Sequence, residues 1–444
     1  MTEWAQTYGP IYQFHLFGKR CVGVADPSLL KTVLNTEMSK FHKDRDFTYR
    51  PFMSLLGTGL VTSEGPLWRR QRSLVSAAFR IHILEEVAHM SRRAVARLSK
   101  KLEKIRGTRE SIEIGEEFRH LTLQVISEAL MSLPPGESDT TFASLYLPIV
   151  TEGHLRIWYP YREYLPTPAW FSYISNVKKL NAYITSIIEK RYELIQEEKG
   201  SGKPSSRRQD ILDRVIGAIP EGEWGQAAVK QLRDELKTFV LAGHETSAAM
   251  LTWALHELIL DQDKMQRVEE EAKATFGSLP LDQSPDDSEI FKKLEYTTGC
   301  LKEALRKYSV VPTVVRNASE DRVLAGEGEQ KYFIPAGTSI MIGIQAVHHR
   351  ADLWPEPNKY QPERFLAKAN KDGSPAISPY TFLAFIEGPR QCLGQNLSLL
   401  EGKIVLSTLV QNFKFKVKEG AADVTKHPWM VPVIPENGLE IQVF

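Results

Sequence analysis

The segment Phe385-Ile386-Glu387-Gly388-Pro389-Arg390-Gln391-Cys392-Leu393-Gly394 holds a cysteine between two glycines, and a helical pattern follows it at 397–410. Glycine lets a backbone turn sharply and approach a flat ligand closely. Because Cys392 stands near a helix N-terminus with Arg390 beside it, the thiolate is favoured over the thiol. A thiolate is the form that binds a metal ion. The alternative is a buried structural cysteine, which is the more common role of a lone cysteine.

The composition of the chain is that of a globular protein. Its 444 residues are 42% hydrophobic and 25% charged, which supplies enough apolar material for a large core. Lys and Arg number 56 and Asp and Glu number 55, so the net charge of +1 gives no reason to expect nucleic acid as a partner. Three cysteines are too few for a disulfide framework, which fits a reducing or cytosol-facing compartment.

Hydrophobic periodicity predicts a mainly helical fold with a small β region. Apolar residues recur every three or four positions through most of 66–260. The polar stretch Lys199–Arg208 predicts an exposed connector between helices. No run of about 18 apolar residues is present, so we expect no helix that spans a bilayer.

Runs rich in β-branched and aromatic residues predict strands at both ends of the chain. Ile11–Phe17 and Cys21–Ala25 should form a hairpin. Further strands are expected at 331–334, 338–344 and 439–444. We expect these later strands to build one minor sheet from distant parts of the chain, so that residues 1–444 form a single interleaved domain.

A second segment with polar residues, Ala242-Gly243-His244-Glu245-Thr246-Ser247, lies inside a long predicted helix. Gly243 costs about 1 kcal/mol there relative to alanine, and a Ser or Thr hydroxyl can bend a helix by bonding the preceding turn. A zinc-protease motif is excluded because it needs a second histidine where Ala248 stands. In the plainest interpretation Thr246 only satisfies its own helix. The helix should cross the core because its apolar stripe steps by three and four: Val229, Leu232, Leu236, Val240, Gly243, Ser247, Met250, Ala254 and Leu258.

Two further pairs of residues lie one helical turn apart. Glu303 and Arg306 share a helix face, although an exposed pair of this kind is common and adds only a few tenths of a kcal/mol. Trp68 and Arg72 also share a face, and both side chains can donate hydrogen bonds to a carboxylate. A solvated basic face with an anchoring tryptophan is the alternative for the second pair.

The first segment resembles the haem-binding loop of the cytochrome P-450 family, Phe-x-x-Gly-x-Arg-x-Cys-x-Gly. The second matches that family's oxygen-activation motif, (Ala/Gly)-Gly-x-(Asp/Glu)-Thr-(Thr/Ser), at all of its defined positions from Ala242 to Ser247. The matches follow the family's order over nearly the whole chain. The resemblance therefore implies the cytochrome P-450 fold and a haem b cofactor. One departure is Ile386, where the family usually has a small or polar residue.

The resemblance also assigns roles around the haem. Cys392 would be the axial ligand of the haem iron, whose electron donation favours O–O cleavage. Phe385 would pack beside the thiolate, while Gly388 and Gly394 shape the loop and Ala242 lies on the opposite side of the haem. The expected partners of the haem propionates are Trp68, Arg72, Arg316 and Arg390.

On the oxygen side, Thr246 would hydrogen-bond dioxygen and Glu245 would relay protons. Glu303 and Arg306 would join Arg364, in Pro362-Glu-Arg364-Phe, as a buried structural network behind the haem. The resemblance thus implies a monooxygenase that inserts one atom of O2 into a lipophilic substrate. A hydroperoxide isomerase or dehydratase of the same fold is an alternative, against which the Glu245–Thr246 pair counts. A non-catalytic haem protein is another.

Electrons are expected from NADPH through a separate reductase or a ferredoxin-type donor, because no flavin or nicotinamide domain is recognised in the sequence. Arg69, Arg70 and Lys403 are candidates for a basic docking surface for that donor, although scattered surface charges are the simpler explanation. Substrate contacts are expected from apolar and aromatic segments that suit a lipid, sterol, terpenoid or carotenoid-like molecule: Tyr49–Val61, Ile149–Tyr173, Phe239–Thr246, Val311–Val315 and Lys426–Met430.

The motifs resemble the eukaryotic microsomal-like branch of the family. Its members carry a membrane anchor and a proline-rich hinge before the point at which this chain begins. We therefore expect a truncated form of an endoplasmic reticulum protein that makes peripheral membrane contact. An incomplete gene model and a natively soluble protein are the alternatives.

Overall fold

The computed structural model describes residues 1–79, 81–201, 209–277, 293–326, 330–366, 377–419, 424–426 and 431–444. Its contacts divide the chain into two compact units, each assembled from segments that are far apart in sequence. We call them the mixed unit, which comprises Met1–Asp44, Ser91–Arg119 and Thr246–Phe444, and the helical unit, which comprises Arg45–Met90 and His120–Glu245.

Helices dominate the chain, as predicted from its periodicity. Their bounds are α1 Thr2–Tyr8, α2 Pro27–Lys31, α3 Met53–Leu56, α4 Gly65–Ala78, α5 Ile81–Ile105, α6 Ile114–Met131, α7 Pro135–Glu137, α8 Ala143–Trp158, α9 Pro168–Ser201, α10 Ile211–Gly217, α11 Gln226–Leu260, α12 Gln262–Phe276, α13 Glu295–Tyr308, α14 Ile344–His348 and α15 Gln395–Asn412. Because α9 extends to Ser201, the first residues of the predicted connector at 199–208 are helical, and 202–208 lie outside the described residues.

Several helices begin at an aspartate that caps backbone N–H groups. The carboxylate of Asp210 accepts from the N–H of Asp213 at 2.9 Å, and the Asp213 side chain accepts from the N–H of Asp210 at 3.0 Å. This reciprocal pair satisfies two donors that the first turn of α10 would otherwise leave unbonded. Asp261 caps α12 with a single bond, by accepting from the N–H of Lys264 at 3.1 Å.

The longest helix is α11, with 35 residues and a length of about 50 Å. From Leu232 to Ile259 most side chains are buried, which confirms that the predicted apolar stripe belongs to a core helix. The boundary between the two units falls within α11, between Glu245 and Thr246.

All strands of the described residues belong to the mixed unit. They are β1 Ile11–Leu16, β2 Lys19–Val24, β3 Phe41–Lys43, β4 Ile112–Glu113, β5 Thr313–Ala318, β6 Arg322–Ala325, β7 Lys331–Ile334, β8 Ser339–Gly343, β9 Phe415–Val417 and β10 Glu440–Val443. The predicted hairpin is confirmed, since β1 and β2 pair antiparallel with Phe14 opposite Cys21.

The prediction of one minor sheet is wrong, because the described strands form three sheets. The largest has the order β1-β2-β8-β5-β3, in which β2 and β8 are parallel. By contrast, β7 pairs with its sequence neighbour β6, and β10 lies between β4 and β9. Strands that are neighbours along the chain can pair locally, whereas other strands pair with distant segments. A strand-like pattern therefore identifies a strand but not the sheet that it joins.

The five-stranded sheet packs on an aliphatic core built from its own side chains and from α2. Val24, Leu29, Leu30, Ile340 and Ile342 are nearly inaccessible members of this core. None of the helices in the described ranges is both long and apolar enough to cross a membrane.

Candidate active site

The segment from Phe385 to Gly394, which we call the cysteine loop, is irregular and is held by its own backbone. The N–H of Cys392 donates to the carbonyl of Phe385 at 2.8 Å, and the N–H of Gln391 donates to the carbonyl of Gly388 at 3.0 Å. The helix α15 begins directly after the loop, at Gln395. Cys392 therefore lies at a helix N-terminus, as predicted, where the helix dipole favours a negative charge.

Accessibility separates Cys392 from the other two cysteines. Cys392 is exposed, whereas Cys21 and Cys300 are buried. Burial raises the pKa of the Cys21 thiol and of the Cys300 thiol, which keeps both protonated. The role of a buried structural cysteine thus fits Cys21 and Cys300. In the part of the chain that the structure describes, no group of three or more His, Cys, Asp or Glu side chains is placed to hold a metal ion.

Two glycines give the cysteine loop its shape. Gly388 has φ of +83°, and a Cβ at this position would lie 2.4 Å from the carbonyl oxygen of Leu34. At Gly394 a Cβ would lie 4.0 Å from the sulfur of Cys392, so any side chain there would stand beside the thiol. A thiolate is one of the ligands that haem iron accepts, and glycines let the backbone approach a flat group closely. The loop therefore fits the cofactor that the resemblance implies.

The departure at Ile386 has a structural correlate. Ile386 adopts φ of +53°, a left-handed conformation that costs a side-chain-bearing residue about 1–2 kcal/mol. Its side chain is partly buried against the aliphatic core of the mixed unit. Apolar burial thus compensates for backbone strain at the position that differs from the family pattern.

The residues predicted to hold the propionates lie in both units. In the helical unit, Trp68 and Arg72 are one turn apart on α4, with Trp68 buried and Arg72 half-buried. In the mixed unit, Arg316 lies on β5 with its guanidinium buried, and it donates to the carbonyl of Val315 at 2.9 Å. Arg390 is half-buried in the cysteine loop. Their roles toward a haem stay predictions.

The proposed basic docking surface loses one of its three members. Lys403 is only 5% exposed on α15, and burial lowers the pKa of its ammonium to about 8. The prediction that Lys403 belongs to an exposed surface is therefore wrong, because α15 is packed against α12 and α13. Arg69 and Arg70 are exposed on α4, and Arg70 pairs with Glu223.

The segment from Ala242 to Ser247, which we call the distal segment, lies within unbroken α11. The residues of this part of α11 that keep accessible surface include Phe239, Ala242, Gly243 and Thr246. Their spacing places these four on one face of the helix. Glu245 and Ser247 are buried. The accessible face therefore carries Thr246, the residue predicted to bond dioxygen.

Packing explains Gly243 better than a weakened helix does. A Cβ at Gly243 would lie 2.8 Å from Cγ1 of Ile126 on α6. The glycine thus permits close approach of α6 to α11 within the helical unit. On the same helix, the hydroxyl of Thr122 donates to the carbonyl of His244 at 2.9 Å.

Sequence reasoning overlooked His244, which it considered only as part of a zinc motif. The imidazole is fully buried, and its Nε2 lies 3.2 Å from Oε1 of Glu245. Its Nδ1 lies 3.2 Å from the carbonyl oxygen of Val240. The ring of Tyr146 packs edge-on at 5.5 Å. A histidine next to a glutamate in an apolar helix was the available signal.

A second overlooked group connects Ser247 with α15. The hydroxyl oxygens of Ser247 and Ser398 lie 3.0 Å apart. Glu401, one turn further along α15, is 1% exposed and hydrogen-bonds Ser247. Burial raises the pKa of the Glu401 carboxyl to about 8, so the neutral form is favoured at neutral pH. The sequence signal was a carboxylate within an apolar helix.

The structure brings Glu303, Arg306 and Arg364 together in the mixed unit. Arg306 donates to both carboxylate oxygens of Glu303 at 2.8 Å, and both residues are fully buried. Arg364 donates to the same carboxylate at 3.3 Å. The guanidinium of Arg306 also donates to the carbonyl of His348 at 2.8 Å. The exposed-pair alternative is therefore wrong, while the role of this network in haem retention stays a prediction.

One predicted substrate segment is tied to α11 by buried acids. The N–H of Thr58 donates to Asp234 at 3.2 Å, and the N–H of Leu60 donates to Glu235 at 2.8 Å. These bonds hold part of Tyr49–Val61 in the helical unit. Of Lys426–Met430, residues 427–430 lie outside the described residues.

Comparison with known proteins agrees with the motifs and the fold. The family model described as Cytochrome P-450 matches residues 1–443. Cytochrome P-450 4c21 of Blattella germanica is 28% identical, over 93% of this chain and 82% of the relative. Cytochrome P-450 97B1, chloroplastic, of Pisum sativum is 28% identical, over 91% of this chain and 79% of the relative. The crystal structure of the cytochrome P-450DA haem domain superimposes with a TM-score of 0.82 and 21% identity, over 99% of this chain and 90% of that one.

Proposed function

Because this chain belongs to the cytochrome P-450 family and is therefore a haem-dependent monooxygenase, we propose that it inserts one atom of O2 into a lipophilic substrate by hydroxylation or epoxidation. The cofactor would be haem b, and the thiolate of Cys392 would bind its iron. The observation that carries this proposal is the exposed Cys392, set at the start of α15 in a loop with Gly388 and Gly394. When bound, the haem supplies the iron at which dioxygen is reduced and split.

The cysteine loop would act on the iron through its electronic and geometric properties. Cys392 would donate electron density as a thiolate, and the N-terminus of α15 would stabilise that negative charge. Phe385 restrains the thiolate because its carbonyl accepts the N–H of Cys392 at 2.8 Å. Four side chains would bind the propionates and orient the cofactor, because tryptophan and arginine are strong donors to carboxylates: Trp68, Arg72, Arg316 and Arg390.

The distal segment would transfer protons to the reacting oxygen. Thr246 lies on the accessible face of α11 with Ala242. Its hydroxyl would donate a hydrogen bond to dioxygen. Glu245, the preceding residue, supplies the proton as a general acid. The network of Glu303, Arg306 and Arg364 has a structural role. Removal of either arginine would leave the buried carboxylate incompletely paired, which would destabilise the folded protein.

Electrons would come from NADPH through a separate reductase or a ferredoxin-type donor, and exposed Arg69 would lie on a surface that such an acidic partner recognises. The substrate would be a lipid, sterol, terpenoid or carotenoid-like molecule. The apolar and aromatic content of Ile149–Tyr173 and Val311–Val315 supports this class.

Reduced protein under carbon monoxide tests the ligand, since thiolate-ligated haem has a distinct Soret band. We expect this band in the parent protein and in the control Cys21→Ala, which alters a buried cysteine, and its loss in Cys392→Ala. Retention of the band in Cys392→Ala would contradict the assignment.

Turnover with NADPH, a surrogate reductase and a panel of lipophilic compounds tests the reaction. Isotope-labelled O2 should place one labelled oxygen atom in the product. If the protein instead rearranged a lipid hydroperoxide without reductase and without label, the isomerase alternative would be correct.

A further inference from the structure

A base and an acid are buried side by side in the distal segment. His244 has no accessible surface and Glu245 is 5% exposed, and Nε2 of the imidazole lies 3.2 Å from Oε1 of the carboxylate. We propose that His244 is a positioning residue that shares one proton with Glu245 and reloads it during turnover. This inference rests on the proposed role of Glu245 as a general acid.

The partner of Nδ1 determines the tautomer of His244. Nδ1 lies 3.2 Å from the carbonyl oxygen of Val240, one turn earlier on α11. A carbonyl oxygen only accepts hydrogen bonds, so Nδ1 carries the hydrogen. In the neutral imidazole the remaining nitrogen, Nε2, then holds a lone pair and can only accept.

The geometry at Nε2 therefore requires a shared proton. A lone pair on Nε2 and an ionised carboxylate oxygen, 3.2 Å apart in a buried site, would repel each other. A proton on Nε2 gives an imidazolium–carboxylate pair, and a proton on Oε1 gives a neutral pair. In either state His244 and Glu245 together hold one proton that can be transferred.

The two side chains are not aligned for an ideal hydrogen bond. His244 and Glu245 are consecutive residues of a helix, and Nε2 makes no well-directed hydrogen bond in this arrangement of side chains. Catalytic hydrogen bonds are often long or poorly directed before substrate binds and become shorter in the reacting complex. The inference therefore rests on the 3.2 Å distance between Nε2 and Oε1 and on the burial of both side chains. A rotation of the Glu245 side chain would be needed to form a well-directed hydrogen bond.

The surroundings fix the imidazole without competing for its proton. Tyr146 on α8 is the titratable residue whose ring packs against His244, at 5.5 Å. Burial, with the negative charge of Glu245 as a second cause, raises the pKa of Tyr146 well above its usual value, so the phenol stays neutral. From α6, the hydroxyl of Thr122 donates to the carbonyl of His244 at 2.9 Å. The ring thus occupies a defined position beside the acid.

The proton transfer balances within the pair and water. In the imidazolium–carboxylate state the N–H bond at Nε2 breaks and an O–H bond forms at Glu245, which leaves His244 neutral with its hydrogen on Nδ1. Glu245 then releases this proton toward Thr246 and becomes a carboxylate again. A proton from water returns to Nε2 and restores the first state. His244 therefore holds a proton inside the buried site until Glu245 transfers it.

Nitrogen NMR of the holoenzyme tests the tautomer directly. The reduced carbon monoxide complex is diamagnetic, and labelled histidine reports both ring nitrogens, with His244→Gln to assign the signal. We expect a protonated Nδ1 and an Nε2 signal that shifts in Glu245→Gln. The control is Glu257→Gln, which alters the buried acid next to His256 on the same helix and should leave the His244 signals unchanged. An unprotonated Nδ1 would overturn the proposal, and so would an Nε2 signal whose chemical shift is unchanged in Glu245→Gln.

Turnover then tests the proton supply. In His244→Gln the fraction of O2 use that yields product should fall about tenfold, which is less than the roughly 10²–10⁴-fold that a general acid itself contributes, because Glu245 remains. The pH dependence of this fraction should flatten. Tyr146→Phe, which keeps the ring contact, should match the parent protein. An unchanged pH profile in His244→Gln would contradict the proposal.

Thr246→Ala separates this inference from the proposed function. If Thr246→Ala remains fully coupled, the role of the distal segment in oxygen chemistry fails, whatever the NMR result. If Thr246→Ala uncouples O2 use from product formation but Glu245→Gln leaves the His244 signals unchanged, the proposed function is supported. The proposal of a shared proton is then wrong.

Discussion

The cysteine loop and the distal segment perform their proposed roles by different physical means. The cysteine loop is irregular, with left-handed residues at Ile386 and Gly388 and backbone hydrogen bonds that hold Cys392. The distal segment is ordinary α-helix, and its chemistry comes from the side-chain neighbours of His244 and Ser247. Where backbone conformation shapes a site, its glycines tolerate few substitutions. Where side-chain contacts shape a site, substitution of the polar partners alters it.

The glycines of the two segments show this contrast. At Gly388 an added Cβ would meet the backbone oxygen of Leu34, and the residue has positive φ. At Gly243 an added Cβ would meet the side chain of Ile126, and the residue is helical. The carbonyl of Leu34 cannot yield without moving the chain itself, whereas a side-chain contact can be relieved by a small shift of Ile126.

The largest expected effect follows from Gly388→Ala. The left-handed backbone and the contact with Leu34 should together lower the free energy of unfolding by about 3 kcal/mol or more. Urea unfolding and the haem content of the purified protein measure the loss. For the unfolding measurement Gly394→Ala is the matched control in the same loop, because its Cβ would have an ordinary contact at 4.0 Å. Equal losses in the two variants would contradict a backbone origin.

An intermediate effect is expected from Glu401→Gln, which changes the group that joins α15 to Ser247. The pKa of Glu401 is raised to about 8 in the folded protein, above its value of about 4 in an unfolded chain. Between these values the folded state holds a proton that the unfolded state has lost, so stability falls as pH rises, by at most about 1.4 kcal/mol per pH unit.

Glu401→Gln should remove this pH dependence, because glutamine stays neutral while keeping an oxygen for Ser247. Thermal or urea unfolding between about pH 5 and about pH 8 should show the variant gaining stability relative to the parent as pH rises. Parallel curves would mean that Glu401 is ionised in the folded protein.

The smallest effect is expected from Gly243→Ala. Alanine gains about 1 kcal/mol of helix propensity over glycine, while displacing Ile126 costs about 1–2 kcal/mol. The net change in the free energy of unfolding should therefore stay within about 1 kcal/mol. Urea unfolding under the conditions used for Gly388→Ala measures it. A loss as large as that of Gly388→Ala would show that the α6–α11 contact is as rigid as the cysteine loop.

Sequence patterns predicted the features that depend on local order. The helical period, the N-terminal hairpin and the apolar stripe of α11 are confirmed because each depends on residues close in sequence. The assignment of β7, β8 and β10 to one sheet was wrong because strand pairing depends on distant segments. The prediction that residues 1–444 form one interleaved domain stays a prediction.

Individual side chains show the same limit. Cys392 was found from the spacing of its own loop. Lys403 was misplaced, because the packing of α12 and α13 decides whether a lysine on α15 is exposed. The bond between Ser247 and Ser398 joins residues far apart in the chain, so no local pattern could predict it.

By itself the sequence determined the identity of the chemical groups and their order along the chain: a cysteine between glycines, an acid before a threonine, and an acid and an arginine one turn apart. Tertiary structure alone decided which of these groups are buried and what they touch, including the fully buried Glu303–Arg306 pair and the 3.2 Å contact of His244 with Glu245. The physical reason is that burial and Coulomb interaction depend on neighbours in space, which the linear order of residues does not specify.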